Sequence, residues 1–280
     1  MTVRTPRPGL LLHLSGPLQS WGEHSRFNER DTARFPTRSG LIGLLAAALG
    51  RTRDEPPDDL RRLRFAVRTD RPGTMLRDFH TVGGGRPNKL TVITAEGNHR
   101  TGDTGTLVSN RYYLQDAAFT VAVTAHDTDS GLLASCGQAL REPRWPPYLG
   151  RRSCPPAGPL YLASVPDAWH ELTALPLHEH AEPRRDGRRV RGALPVSFYA
   201  DEPLDTLPIP AGCTAFGEQS SSTINDEPVS FASLDRRYLG RTLHRRTLLM
   251  PTTRCKGLGP TYLAELHRHL QTTPFKEPYE

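Results

Sequence analysis

Lysine is almost missing from this 280-residue chain: of its 36 basic residues only Lys89, Lys256 and Lys276 are lysine, and the rest are arginine. That scarcity leaves little material for a catalytic set built around an amine. Cysteine is sparse and scattered. Cys136, Cys154, Cys213 and Cys255 form no C-x-x-C pair, which excludes a zinc ribbon and a dense disulfide framework and leaves reduced thiols. Long apolar runs are absent too. The longest, residues 41–49, falls far short of the roughly 20 residues a membrane span needs, and no cationic segment with a signal-length apolar stretch opens the chain. A soluble, cytoplasmic protein without membrane contact is expected. Internal repeats, low-complexity tracts, paired carboxylates and a nucleophile elbow are also lacking.

What is present is positive charge. The formal net charge is +6 and the pI near 9.4, which favours an anionic partner such as nucleic acid. Arginine suits that role because its planar guanidinium forks onto phosphates and stacks on bases, although a GC-rich genome favours arginine codons as well. The charge gathers near the N-terminus. Gly16-Pro17-Leu18-Gln19-Ser20-Trp21-Gly22 supplies a turn-forming loop with an aromatic expected to be exposed. It leads past Arg26, Arg30, Arg34 and Arg38 into Leu41-Ile42-Gly43-Leu44-Leu45-Ala46-Ala47-Ala48-Leu49-Gly50, an apolar helix with Thr37 or Ser39 as cap and Gly50 at its end. Unpaired N–H groups and a positive dipole end at the start of such a helix attract an anion.

Periodicity predicts strands at 10–14 and 63–69, helices at 39–49 and 130–140, and further strands at 117–125 and 160–165. The order β-α-β-β-α-β makes the fold class α+β, a ferredoxin-like or RNA-recognition-motif-like sheet with two helices on one face. Residues 1–165 are read as this palm. Between its second and third strands, about residues 78–113, lies an insertion read as a β-hairpin, with arms at 90–94 and 106–108 around the tip 96–105. Gly83-Gly84-Gly85 lacks the Lys-Ser/Thr of a phosphate loop and reads as a hinge. Residues 166–280 read as a small C-terminal β-rich subdomain with strands near 194–199 and 241–250, exposed loops at 178–191 and 211–227, and a tail from Pro251.

An ordinary RNA-recognition fold stacks bases on aromatics of its first and third strands. Here those strands offer Leu11, Leu12, His13 and Ala117, Ala118, Phe119, so RNA contact is assigned instead to loops and the insertion. Tyr148-Leu149-Gly150-Arg151-Arg152-Ser153-Cys154 is a second candidate, joining an aromatic, a flexible glycine, two guanidiniums and a hydroxyl.

Five ordered blocks resemble the CasD family, the crRNA 5′-handle-binding subunit of the type I-E CRISPR Cascade complex. They are the Gly16–Gly22 and Arg34–Leu45 segments, Asp78-Phe79-His80-Thr81-Val82, Asp116-Ala117-Ala118-Phe119-Thr120-Val121-Ala122, and Tyr148 to Pro155. The resemblance fades after residue 166. It implies a ferredoxin-like palm with a hairpin thumb, gripping the handle of the crRNA and touching the Cascade backbone and large subunits, with target DNA met at most indirectly. Carried over by position, it assigns RNA contact to Gln19, Trp21, His24, Arg26, Arg34, Arg38, Ser39, Tyr148, Arg151, Arg152 and Ser153, and places His80, Thr81 and Arg111 where palm meets thumb.

The rival reading is a metal-independent endoribonuclease using tyrosine, lysine and histidine, for which His80, Lys89, Tyr112 and Tyr113 lie in one stretch. A dedicated set is not evident among so few lysines, and no catalytic residue is assigned. A third reading is a scaffold that binds protein through the apolar thumb residues Leu90, Val92 and Ile93. No cofactor or metal is expected. His178-Glu179-His180 and His267-Arg268-His269 lack convergent Cys or Asp partners and read as surface histidines.

Overall fold

The structure, a computed structural model, describes residues 5–23, 28–94, 97–101, 105–180 and 192–272. The palm elements form where the apolar periodicity puts them: β1 (Gly9–Ser15), α1 (Arg38–Leu49), β4 (Arg64–Arg71), β7 (Ala118–Thr124), α2 (Ser130–Arg141) and β8 (Tyr161–Val165). Two short strands, β2 (Leu18–Gln19) and β3 (Glu29–Arg30), lie between β1 and α1. Antiparallel pairing orders the palm β4-β7-β1-β8, the arrangement of a ferredoxin-like sheet.

Every residue of β1 and of β7 is buried, because both faces of the sheet are covered. Leu10, Leu12, Leu14, Phe65, Val67, Phe119, Val121 and Val123 meet α1 and α2 on one face. Leu11, Ala66 and Ala122 point the other way, into a second core. That core is built by α3 (Ala168–Ala174), β9 (Ala193–Ala200), β12 (Arg237–Pro251) and α4 (Gly259–Thr272). Each leucine so buried contributes about 1.5–3 kcal/mol. The second layer also covers the surface on which an RNA-recognition sheet stacks bases, the physical reason its aromatic pattern is missing from β1 and β7.

Beyond residue 166 the chain continues the palm's own sheet. β9 pairs with β4 on one side and with β12 on the other, and β10 (Thr214–Ala215) and β11 (Ser220–Ser230) both pair with β12. Three expectations are corrected here. Residues 211–227 are not only loop, since β11 buries Ile224 and Asp226. The stretch after Pro251 is not merely a tail, since α4 seats Tyr262 and Leu266 in the second core. His178 is not a surface histidine. It is buried, stacks on Tyr262 with ring centroids 4.1 Å apart, and lies with Nδ1 2.9 Å from Nε2 of buried His13. Residues 181–191 of the predicted loop fall outside the described residues.

The insertion is a hairpin with different arms from those expected. β5 (Thr74–Val82) pairs with β6 (Leu107–Gln115) in register from Thr74↔Gln115 to Val82↔Leu107. Residues 90–94, read as an arm, form no strand among the described residues and turn back on 98–100 through backbone hydrogen bonds and an isolated bridge from Ile93 to His99. β2 and β3 pair with β6 and carry the hairpin against the palm, as a sheet separate from the palm's own.

Candidate nucleic-acid interface

The helix mouth does bind an anion, but the anion is the chain's own. Asp226 of β11 accepts a hydrogen bond from the backbone N–H of Arg38 at 2.7 Å, in place of the side-chain cap that neither Thr37 nor Ser39 provides. Arg38 itself is only 2% exposed. Its guanidinium donates to Glu227 and Asp201, both at 2.5 Å, and to the carbonyls of Leu63 and Arg61 at 2.9 and 2.5 Å. Arg241 completes the cluster, at 2.6 Å from Asp226 and 2.9 Å from Asp201. The assignment of Arg38 to RNA contact is therefore corrected: the charge is consumed in tying α1 to β11 and β12.

Gln19 and Trp21 are corrected in the same way. The Gln19 amide donates to the carbonyls of Leu14 and Ala117, and its Oε1 accepts from the Trp21 indole N–H at 3.0 Å. Trp21 is 1% exposed and lies over Gly40, where a Cβ would come within 2.7 Å of the ring. The loop is an internal strut whose far edge forms the floor of a groove.

That groove, about 540 Å³, runs between this floor, α1 and the 148–151 turn. Of the expected contact residues it is lined by Trp21, Ser39, Arg111, Tyr148 and Arg151. Gly150 holds the turn in a left-handed conformation with φ +86°, where a Cβ would stand 1.7 Å from the Ser20 carbonyl oxygen. Its neighbour Arg151 donates to the carbonyls of Tyr112, Arg30 and Asp31 and lies over the Tyr113 ring at 4.9 Å. Arg151 thus spans palm and thumb while remaining half-exposed to the groove. Arg34, Arg152 and Ser153 are exposed but outside the lining. His80 and Thr81 also stay outside it, on β5, with His80 Nδ1 3.2 Å from Asp78. His24 and Arg26 lie outside the described residues.

The remaining walls lie outside the expected contact residues. Arg51 and Arg53 follow α1, Trp145 precedes the 148–151 turn, Phe231 and Arg236 come from the link between β11 and β12, and Tyr238 from the start of β12. Among the described residues six arginines line the groove, Arg30, Arg51, Arg53, Arg111, Arg151 and Arg236, against a single acid, Glu23. Arg51 is held bidentately by Asp59 at 2.5–2.6 Å. Burial raises the Tyr238 phenol above its ordinary pKa, while the nearby charges of Arg236 and Arg53 oppose the shift. A groove with exposed Trp145 and Tyr238 beside several guanidiniums suits unstacked bases on a phosphate backbone. Trp145, in the run Arg144-Trp145-Pro146-Pro147-Tyr148, was open to recognition as an aromatic in a proline-shaped turn. Phe231, Arg236 and Tyr238 were not, because only the β11–β12 pairing brings them back to α1.

The residues of the nuclease reading do not converge. Along the hairpin His80 pairs with Ser109 and Arg77 with Tyr112, which puts His80 and Tyr112 on opposite faces. Tyr113 is buried, and Lys89 is exposed in the connection between β5 and β6. Among the described residues no cluster of His, Cys, Asp and Glu is arranged to hold a metal, and no helix is long and apolar enough to cross a membrane.

Comparison with known proteins agrees with the fold. A family model described as CRISPR-associated protein (Cas_Cas5) matches residues 9–243. The CRISPR system Cascade subunit CasD of Escherichia coli (strain K12) is 36% identical over 214 residues, spanning 72% of this chain and 91% of that protein. A chain of a solved CRISPR RNA-guided surveillance complex superposes with a TM-score of 0.76 at 41% identity, covering 94% of this chain and all of that one. A second solved chain, a Cas protein, gives 0.51 at 32% identity over 90% of this chain and all of its own length.

Proposed function

The chain belongs to the CRISPR-associated protein family Cas5, and from that premise we propose that this Cascade subunit grips the 5′ handle of the crRNA in the arginine groove without cutting it. One observation carries the reading: five of the groove's six arginines meet no carboxylate among the described residues, and Trp145, Tyr148 and Tyr238 interleave with them. Phosphates seat on the guanidiniums, and bases splay onto the rings. Relatives whose names place them in Cascade and in an RNA-guided complex support crRNA and other Cascade subunits as partners. The thumb supports contact with the backbone subunit, because Phe79, Leu90 and Ile93 are each more than half exposed on it. Contact with the large subunit, target DNA met at most indirectly and a cytoplasmic location complete the proposal.

The test is retention of labelled repeat RNA by the purified chain across a salt series, with and without chelator. Arg53→Ala with Arg236→Ala is expected to weaken retention and to lower the steepness of the salt dependence by about 1.4, which is two phosphate contacts on a single strand. Chelator-resistant cutting at one site would overturn the non-catalytic reading. Retention unchanged by the double substitution would remove the groove from it.

A further inference from the structure

Several arginines withdrawn from solvent have carboxylate partners. Arg38 meets Asp201 and Glu227, Arg68 meets Asp70, Arg71 meets Asp116, and Arg241 meets Asp201 and Asp226. Arg254, half-buried after β12, meets none among the described residues. One terminal nitrogen, Nη2, donates to the carbonyls of Thr173 and Ala174 at the end of α3, at 2.6 and 2.7 Å. The Nε–H is buried and has no partner. Burial, and the like charge of Arg68, press its pKa down from the ordinary arginine value. A desolvated guanidinium with an orphan donor calls for an acceptor.

Space for an anion lies beside the outer edge of the guanidinium. A cavity of about 410 Å³ is bounded by Arg254, Lys256 and, from α4, Arg268 and His269, with Glu265 as the single acid among the described residues. Glu265 is taken by Arg268, and His269 Nε2 lies 3.0 Å from Glu171 of α3. Arg254 and Lys256 are left to set the charge of the cavity. It opens on the α3–α4 side of the sheet, whereas the groove lies on the α1 side.

We propose that this cavity binds a phosphate group, with Nη1 of the Arg254 guanidinium, which is neither bonded among the described residues nor buried, and the Lys256 ammonium as its donors. A tetrahedral oxyanion presents acceptors to donors arriving from separate walls, and the guanidinium fork matches it. The phosphate is either free in solution or part of a nucleic-acid strand passing behind the palm.

The experiment uses the full chain carrying Arg53→Ala and Arg236→Ala, so that the groove does not mask the result. Its two probes are inorganic phosphate, read by thermal shift against chloride at equal ionic strength, and a short oligothymidylate, read by fluorescence anisotropy. Lys256→Glu is added because Arg254 also holds the end of α3 and its loss risks unfolding. Lys256→Glu is expected to weaken binding at least tenfold. An effect on inorganic phosphate alone identifies a free-phosphate site, and an effect on the oligonucleotide identifies a strand contact. If neither probe binds beyond the chloride control, or if Lys256→Glu leaves both unchanged, the proposal fails.

Discussion

Arg38→Ala separates a strut from a contact residue. Removing the guanidinium takes a charged partner from Asp201 and Glu227 and a donor from two backbone carbonyls. Truncating one side of a buried ion pair costs about 3–5 kcal/mol, because the other charge stays desolvated. Here neither acid is abandoned. Asp201 keeps Arg241 at 2.9 Å and the Phe65 N–H at 2.8 Å, and Glu227 keeps Arg61 at 2.8 Å. The lower part of the range, about 3–4 kcal/mol, is therefore expected. At roughly 2–4 °C per kcal/mol for a chain somewhat over 150–250 residues, the melting temperature should fall by about 6–16 °C. Urea denaturation of the purified variant gives the free energy, with Arg152→Ala, an exposed arginine, expected within about 0.5 kcal/mol of wild type. RNA retention measured well below the variant's midpoint should be near normal. If Arg38→Ala keeps wild-type stability within 1 kcal/mol yet loses RNA, the assignment of this arginine to structure is wrong.

Gly150→Ala should disrupt the 148–151 turn, since left-handed strain alone costs about 1–3 kcal/mol and the added methyl collides with the Ser20 carbonyl; normal stability and RNA retention would contradict this. Acid should destabilise the fold through the buried histidines. His178 is held down to about 3 by burial, then by Arg71 and His180, and His13 is lowered by burial, His178, Arg68 and Arg71. Both groups are neutral in the fold and titrate near 6.5 when unfolded, so their contribution is complete above that pH and is lost as pH falls toward 3. The slope is at most about 1.4 kcal/mol per unit for each histidine. Urea midpoints from pH 7 to 4.5 test the slope, which His178→Gln should reduce; a flat profile would refute it. Burial pushes the Cys136 thiol up to about 12, so iodoacetamide at pH 8 should label it only after denaturation, as peptide mapping would reveal.

The palm was legible because its signals are local. Residues 10–14, 63–69, 117–125 and 160–165 are apolar or alternating runs, and 39–49 and 130–140 have helical spacing, so each falls within a few residues of an observed element. A similar local signal is present in α4, where Tyr262, Leu266 and Leu270 repeat every fourth residue on its buried side. Arg38 was misread because the acids that claim it lie 163 and 189 residues downstream, a distance that no motif spans. Trp21 was misread because its burial depends on a glycine in the facing helix. The groove was half legible. Tyr148 and Arg151 stand in the block at 148–155 and Arg111 at the base of the insertion, whereas Arg236 and Tyr238 reach it only through the hydrogen-bond ladder of β11 and β12.

β4 lies between β7 and β9, and the acids that neutralise Arg38 all come after residue 200. On a ribosome, which delivers the N-terminal part first, this order has a consequence for assembly. When residue 165 has emerged, every palm strand exists, yet β4 still presents a free ladder edge and α1 still carries an unneutralised guanidinium. An exposed edge of that kind invites pairing with another chain. The nascent protein therefore waits for its last third before the first third is safe, and a stop codon anywhere before β12 yields a sticky fragment. Supply of this subunit to a multisubunit particle then depends on completed synthesis of its own C-terminal strands.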